Sequence, residues 1–463
     1  MTKSGLMFGA FTLSLLALLP LAAHAQEPTP PLMPKLQQVQ LPPPVEVPAP
    51  PTTSEYANRP LTATEAAAIA LLHQPAVAFA RAGVAGAEAR TAEARADLGP
   101  AVTVSGTATK SDDFGGDGPM GGLPTPFQFS ATVRQLLYDY NHTRDLVRQQ
   151  QALEQVAGAN LTTTQAALIL QVKLAFYAYL QAERLVKVNE ENVHNQQQHL
   201  ALADARLQSG LGLPYDVVRA EAAVADAVYG LTSARRDASQ ARVALAELMG
   251  LDPRTPLVPA DTGEAVVATD DVRGAVDLAV VQRPEMLRAE ATVLASRHAI
   301  AAARTTNAPV VTGSAGLLRR GDTLFDDPNG VTVAVGMQWT PFDSGFTKAR
   351  VREAEAALDA NQAQLESVRL QVIADVSQAY LDLETAAQRV ATAQVQVANA
   401  DEARRLAEGR YRAGIGVFID VLDAQTALDV ANTNLVNAQT AVDQARAAYA
   451  RATGADLAQI TGH

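Results

Sequence analysis

Residues that usually carry catalysis or bind metals are scattered in this sequence. Cysteine is absent, which excludes disulfides, thiolate metal sites and a cysteine nucleophile. His194 and His199 are five residues apart, off the four-residue spacing that places two metal ligands on one helix face. Neither a phosphate-binding loop nor a Gly-x-Ser-x-Gly motif occurs. We therefore expect no enzyme, no cofactor and no metal site.

The sequence consists of two copies of one pattern of predicted helices and strands. The segment that begins at Arg206 recurs at Arg410, with its arginine, two glycines, aspartate and valine in the same order. The same offset of 204 residues relates Tyr138-Asp139 to Phe342-Asp343. Self-similarity at a fixed offset predicts tandem structural repeats. We place a first repeat at 61–250, a linker at 251–271 and a second repeat at 272–454.

Long helices account for most of each copy. Between Asn141 and Gln208 there is no proline, so one helix of roughly 65 residues, about 100 Å long, is predicted. After a Gly-x-Gly turn a second helix returns antiparallel to it, which predicts hairpins at 141–249 and 345–453. Asp216 and Asp420 follow these turns, where a carboxylate suits a helix N-terminus. Apolar residues recur every seven positions, as in coiled coils: Val172, Tyr179, Val186, Val193, Leu200 and Leu207, then Val376, Leu383, Val390 and Val397.

Each copy also contains two candidate strands in which apolar and polar residues alternate. Thr, Ser, Gln and Gly dominate the polar faces, which suits strands with lipid on one side and water on the other. Four strands cannot close, and an open edge is not viable in lipid. Two chains would supply eight strands, whose interior fills with side chains, whereas three chains would supply twelve. Closure therefore favours a trimer, with strands at 101–110, 127–137, 309–318 and 331–340.

The start of the chain has the three parts of a secretory signal peptide, predicted at 1–25. Lys3 precedes an apolar run, and Ala23-His24-Ala25 forms a small-x-small cleavage site. No cysteine follows this site, so no N-terminal lipidation is expected. A Pro-rich segment at 26–60 and a tail at 455–463 flank the repeats. The net charge of −12 argues against a nucleic-acid partner.

These features together resemble the TolC-type outer-membrane factor family. The resemblance covers Leu61 to Gly454 and rests on the duplicated helix-turn, the Tyr-Asp and Phe-Asp pairs, and the Asp-Val-Leu-Asp-Ala run that begins at Asp420. It implies an α+β membrane protein of two helix–strand–strand–long-hairpin repeats. It also implies a trimer, in which a 12-stranded barrel in outer-membrane lipid continues as a long helical barrel in the periplasm of a Gram-negative cell. An equatorial belt would include the 251–271 linker and both chain ends.

The resemblance also assigns roles to individual residues near the turns. Asp420 and Asp423 match carboxylates that line the periplasmic constriction, and three-fold symmetry would gather six of them around one axis. Without the resemblance, both would be read equally well as solvated residues that cap a helix start. Tyr411 and Asp216 match a pair that links the two hairpins in the closed state. A second family link, between an arginine and a threonine, does not carry over, because those positions are Gly416 and Tyr215.

The two turns present apolar residues where they would be exposed at a loop tip. Glycine serves the chain reversal itself, but exposed apolar residues at a tip indicate a partner. The expected partner is a periplasmic adaptor, which would contact Gly210, Leu211, Gly212 and Leu213 of the first tip and Gly414, Ile415, Gly416 and Val417 of the second.

The leading interpretation is a passive export duct that works with a periplasmic adaptor and an inner-membrane pump of the resistance-nodulation-division type. Protein secretion with an ABC-type system and metal efflux are the alternatives within this class. A periplasmic adaptor or coiled-coil scaffold is the alternative from another class. Such an adaptor should have compact β-domains that flank one hairpin, whereas this chain has two hairpins and two membrane-type strand pairs.

Overall fold

The computed structural model describes residues 56–108, 127–261, 272–321 and 330–456. They belong to one compact unit, residues 50–463. The predicted signal peptide, the Pro-rich segment up to residue 55, the loops that follow the first strand of each pair, residues 262–271 and the last seven residues lie outside the described residues.

Each repeat opens with a pair of shorter helices. In the first repeat, strand β1 (Pro60–Leu61) leads into α1 (Ala63–His73) and α2 (Pro75–Ala96). A capping box starts α1, because Thr62 N donates to Glu65 Oε2 at 3.0 Å and Glu65 N donates to Thr62 Oγ1 at 3.2 Å. None of the described helices has by itself the length and hydropathy to cross a membrane; α1 and α2, bent by 51° at their junction, meet both criteria only as a pair.

Four strands form one antiparallel sheet: β2 (Pro100–Ala108), β3 (Phe127–Tyr138), β5 (Val310–Gly321) and β6 (Gly330–Gln338). Their order in the sheet is β2-β3-β5-β6. The contact between β3 and β5 joins the two repeats, while β2 and β6 are the sheet edges among the described strands.

The register of the sheet sorts its two faces by polarity. Val102 is paired with Val133, Val133 with Ala315, and Ala315 with Val333, so one apolar row crosses all four strands. The neighbouring row on the opposite face consists of Thr103, Thr132, Gly316 and Thr332. Since side chains alternate between faces along a strand, one face is aliphatic and the other hydroxyl-rich. Val102 and Val333 are both exposed in the single chain.

Each long helix starts a few residues after the end of a strand, and in both repeats an aspartate lies between the two elements. Asp139 Oδ2 accepts a hydrogen bond from Thr143 N at 2.7 Å, and Asp343 Oδ2 accepts one from Thr347 N at 2.8 Å. The aspartates of the Tyr-Asp and Phe-Asp pairs therefore each accept a hydrogen bond from a backbone N–H in the first turn of a long helix. The hairpins are α3 (His142–Gln208) with α4 (Pro214–Leu248), and α7 (Phe346–Arg412) with α8 (Phe418–Thr453); α5 (Val272–Gln282) and α6 (Pro284–Arg304) precede the second sheet pair.

The largest apolar core lies beside the middle of α3. Ile169, Val172 and Phe176 pack there with residues of α1, α4 and the linker, including Leu257. Strand β4 (Val258–Pro259) pairs in parallel with β1. Lys173 Nζ lies 2.8 Å from Asp456 Oδ1, and each side chain is only 1% exposed. The start of the linker and both ends of the described chain thus meet at this level of α3.

Candidate gate and partner surface at the helix-turn tips

Glycine geometry explains the two turns. Gly210 and Gly414 have positive φ values of 74° and 80°, a conformation that side chains disfavour. A Cβ atom on Gly212 would lie 2.6 Å from Leu207 N, and one on Gly416 would lie 3.0 Å from Arg410 Cβ. Both turns therefore need glycine at two positions, one for its dihedral angles and one for space.

Apolar side chains project from both tips. Leu211 and Ile415, which occupy equivalent positions in the two repeats, are 75% and 73% exposed. Leu213 and Val417 are also exposed and directly precede the helices α4 and α8. Removing four such side chains from water would stabilise a complex by the hydrophobic effect.

Tyr411, in the last turn of α7, is buried against the other hairpin. It is 3% exposed, and its ring centroid is 5.2 Å from that of Phe418. Its Oη donates a hydrogen bond to Asp216 Oδ2 on α4 at 3.2 Å. Burial, and then the adjacent Asp216 carboxylate, raise the pKa of the Tyr411 phenol. The phenol therefore stays protonated and can donate to the carboxylate, which joins the end of α7 to the start of α4.

Asp420 and Asp423 are placed differently from Asp216. Both side chains are exposed on the first turns of α8. The N-cap of α8 is Val417, with no side-chain cap hydrogen bond. Within the described part of the chain neither carboxylate forms a hydrogen bond or an ion pair with another side chain, so both are available to ions or to other copies of the chain.

The positions of the family's second link have other contacts in this chain. Gly416 has no side chain and is confined by the turn. Tyr215 is exposed, and its Oη accepts a hydrogen bond from Arg219 Nη1 at 2.6 Å. These two residues do not reproduce an arginine–threonine link.

Sequence reasoning missed a buried polar chain a few turns from the tips. His199 Nε2 lies 3.4 Å from Gln425 Oε1, and Gln425 Nε2 donates to Asp429 Oδ1 at 2.9 Å. Burial lowers the pKa of His199 and raises that of Asp429 to about 6. In the sequence these residues are recognisable only as polar positions of predicted helices. Their inward orientation follows from the packing of the helices.

Among the described residues, no group of three or more His, Asp or Glu side chains is arranged to hold a metal ion.

Comparisons with known proteins agree with this architecture. The sequence profile described as outer membrane efflux protein matches residues 67–251 and 275–455, which correspond to the two repeats. The chain is 29% identical over 402 residues to protein CyaE of Bordetella pertussis, covering 84% of this chain and 82% of CyaE. It is 27% identical over 362 residues to the antibiotic efflux pump outer membrane protein ArpC of Pseudomonas putida, covering 75% and 72%.

A solved structure shows the same fold at low sequence identity. The outer membrane protein VceC from Vibrio cholerae superimposes with a TM-score of 0.72 at 20% identity, covering 85% of this chain and 96% of VceC.

Proposed function

Because this chain belongs to the outer membrane efflux protein family, we propose that it is the outer-membrane channel of a tripartite export system. It conducts substrates passively, and it is not an enzyme. The energy for transport comes from an inner-membrane pump, and a periplasmic adaptor connects this pump to the channel. The expectation from sequence that the chain resembles this family is confirmed by the profile match.

The observation that carries the proposal is the sorted, four-stranded sheet. Its aliphatic face suits outer-membrane lipid and its hydroxyl-rich face suits a water-filled lumen. The edge strands β2 and β6 have no partner within the described chain, and an open edge is costly in lipid. Three copies supply twelve strands and close the sheet around a lumen, so the working unit is a homotrimer.

The hairpins continue the channel on the periplasmic side. Each long helix has 67 residues, which corresponds to about 100 Å at 1.5 Å per residue. The exposed apolar tips lie at the end remote from the sheet and are the contact surface for the adaptor. The name of ArpC, an antibiotic efflux pump outer membrane protein, supports small-molecule efflux. We propose a pump of the resistance-nodulation-division type as the partner.

The residues near the tips form the gate in this proposal. The hydrogen bond between Tyr411 and Asp216 holds the hairpins of one chain together in the closed state. Asp420 and Asp423 of three chains form a ring of carboxylates that attracts cations, since like charges around one axis create a negative potential.

The absence of native cysteine allows a direct test of the adaptor surface. We expect Leu213→Cys, labelled with a photo-crosslinker in intact cells, to capture the adaptor of a resistance-nodulation-division pump. The matched control is Gly83→Cys, at an exposed position of α2 with open space around it, and it should capture no adaptor. Capture of an ABC-type secretion adaptor would replace small-molecule efflux by protein secretion. A protein that leaves the outer-membrane fraction in a salt wash would contradict the channel assignment.

A further inference from the structure

Arg206 is the charged side chain that contacts Tyr411 from the opposite hairpin. Its Cζ atom lies 4.4 Å from the centroid of the Tyr411 ring, within the range of a cation–π interaction. Its Nη1 donates a hydrogen bond to the carbonyl oxygen of Tyr411. Its Nη2 lies 3.5 Å from the carbonyl oxygen of Leu211, in the first tip. One guanidinium thus contacts the ring and backbone of Tyr411 on the second hairpin and the turn of its own hairpin.

The second repeat contains an equivalent arginine that can be compared with Arg206. Arg410 is the equivalent of Arg206, and the carbonyl groups of both residues accept the hydrogen bond that closes the turn, from Ile415 N and Leu211 N respectively. The side chain of Arg410 is exposed, however, and makes no hydrogen bond or ion pair within the described chain. The backbone role is therefore shared by the repeats, while the contact with the other hairpin belongs to Arg206 alone.

Geometry indicates what this contact does for the phenol. Tyr411 Oη donates a hydrogen bond to Asp216. At the same time Arg206 stacks on the Tyr411 ring and donates to the Tyr411 carbonyl oxygen. The planar guanidinium can stack and donate at the same time, which a lysine ammonium cannot. A stacked ring has fewer rotamers available, so less entropy is lost when its hydroxyl group meets the carboxylate.

We propose that Arg206 is a positioning residue of the gate, which holds Tyr411 in the orientation that reaches Asp216. It supplies from the first hairpin a cross-hairpin arginine contact that Gly416 cannot supply from the second. This inference rests on the proposed function of Tyr411 and Asp216 as the closed-state link.

The experiment measures channel opening of the full-length protein in two ways. One is single-channel conductance in planar bilayers, and the other is vancomycin sensitivity of cells that carry the protein as their outer-membrane channel. We expect Tyr411→Phe and Arg206→Ala each to shift the closed–open equilibrium about tenfold toward the open state, as for the loss of one charge-assisted contact. The double variant should open no further than Arg206→Ala alone, because both changes break the same link.

Lysine substitution separates positioning from charge. Arg206→Lys should open the channel like Arg206→Ala, while the matched controls Arg410→Ala and Arg410→Lys should remain as closed as the wild type. Arg206→Lys also keeps the charge and approximate length, and so provides a variant that folds if Arg206→Ala does not reach the outer membrane.

Each contrary outcome has a defined meaning. If Tyr411→Phe opens the channel and Arg206→Ala does not, the positioning role is wrong and the proposed link stands. If Arg206→Lys is closed, or the two effects multiply in the double variant, Arg206 acts through charge or independently of Tyr411. If Arg410→Ala opens the channel as much as Arg206→Ala does, the effect is not specific to the contact between Arg206 and Tyr411, and the positioning role is wrong. If no variant opens the channel, the link and the inference both fall.

Discussion

The two repeats have long helices of the same length but unequal surroundings. Both α3 and α7 contain 67 residues, and α4 and α8 differ by a single residue. Yet α3 contacts α1, α2, α4, α6 and α8, whereas α7 contacts α5, α6 and α8. The buried aromatic residues of the largest apolar core, Phe176, Tyr177 and Tyr179, are all on α3. A duplicated backbone can therefore be conserved while the core is shared unevenly between its copies.

Helix α7, which contacts fewer helices than α3, exposes several apolar side chains. Leu370, Leu381, Val395 and Leu406 are all more than half exposed in the single chain. A surface of this kind indicates a protein contact. In the proposed trimer we expect this surface of α7 to contact a neighbouring copy.

The tips differ in charge in the same way. In the first repeat, Asp216 is bonded to Tyr411 and is followed three residues later by Arg219. The equivalent residues of the second repeat are Asp420 and Asp423, both acidic and both exposed. One tip is thus suited to link helices within the chain, and the other is suited to attract cations.

Substitutions of equivalent aromatic residues in the two repeats should change stability most, and they test whether the two cores are unequal. Phe176→Ala should lower the free energy of unfolding by about 3–5 kcal/mol, because it leaves a cavity in the core beside α3. The repeat-equivalent change, Tyr380→Ala, removes a half-buried ring beside Tyr449 and should cost less than half as much. Thermal and denaturant unfolding of the purified protein in detergent would measure both changes. Equal losses would mean that assembly buries the α7 face as deeply as the chain itself buries α3.

A smaller effect is expected at the acidic tip. Asp420→Asn combined with Asp423→Asn should weaken block of the channel by divalent cations about fivefold, given roughly 1 kcal/mol of attraction per close charge pair in water. The measurement is the concentration of cation that halves the current in planar bilayers. Glu221→Gln, which removes one exposed carboxylate on α4, is the control and should leave block unchanged. Unchanged block in the double variant would remove these residues from the constriction.

The smallest effect concerns the buried polar chain, which occurs only on the α8 side because the repeat equivalent of Asp429 is Ala225. Burial raises the folded-state pKa of Asp429 from 3.8 to about 6. Between these values the folded protein binds the proton more tightly than the unfolded chain, so the stability contributed by Asp429 falls as the pH rises through this window. We expect Asp429→Asn to be more stable than the wild type above pH 6, with the difference vanishing as the pH approaches 3.8.

Unfolding of both proteins at a series of pH values would show this effect as a difference between two curves. The difference is needed because burial lowers the pKa of His199, which makes its own contribution fall as the pH decreases. Asp226→Asn, on an exposed part of α4, serves as the control and should run parallel to the wild type. A pH-independent gap between Asp429→Asn and the wild type would contradict the raised pKa.

Features that depend on short-range chemistry can be predicted from the order of the residues alone. The alternating residues of the strands and the proline-free stretches set the element types, and the long helices begin and end within two residues of the positions expected from the sequence. None of the residues in the seven-residue series of α3 and α7 is exposed, because that spacing keeps them on one side of each helix. Glycine at positions 210 and 414 is required by the backbone of the turns alone.

Which helices share a core, and which side chains meet across the hairpins, depends on how the chain packs in three dimensions. Arg206 reaches Tyr411, and His199 reaches Gln425, across more than 200 residues of sequence. Equivalent residues, such as Arg206 and Arg410, have the same local sequence role and different surroundings. The physical reason is that a repeat pattern specifies the backbone of each copy, whereas the burial of a side chain depends on how the two copies pack against one another.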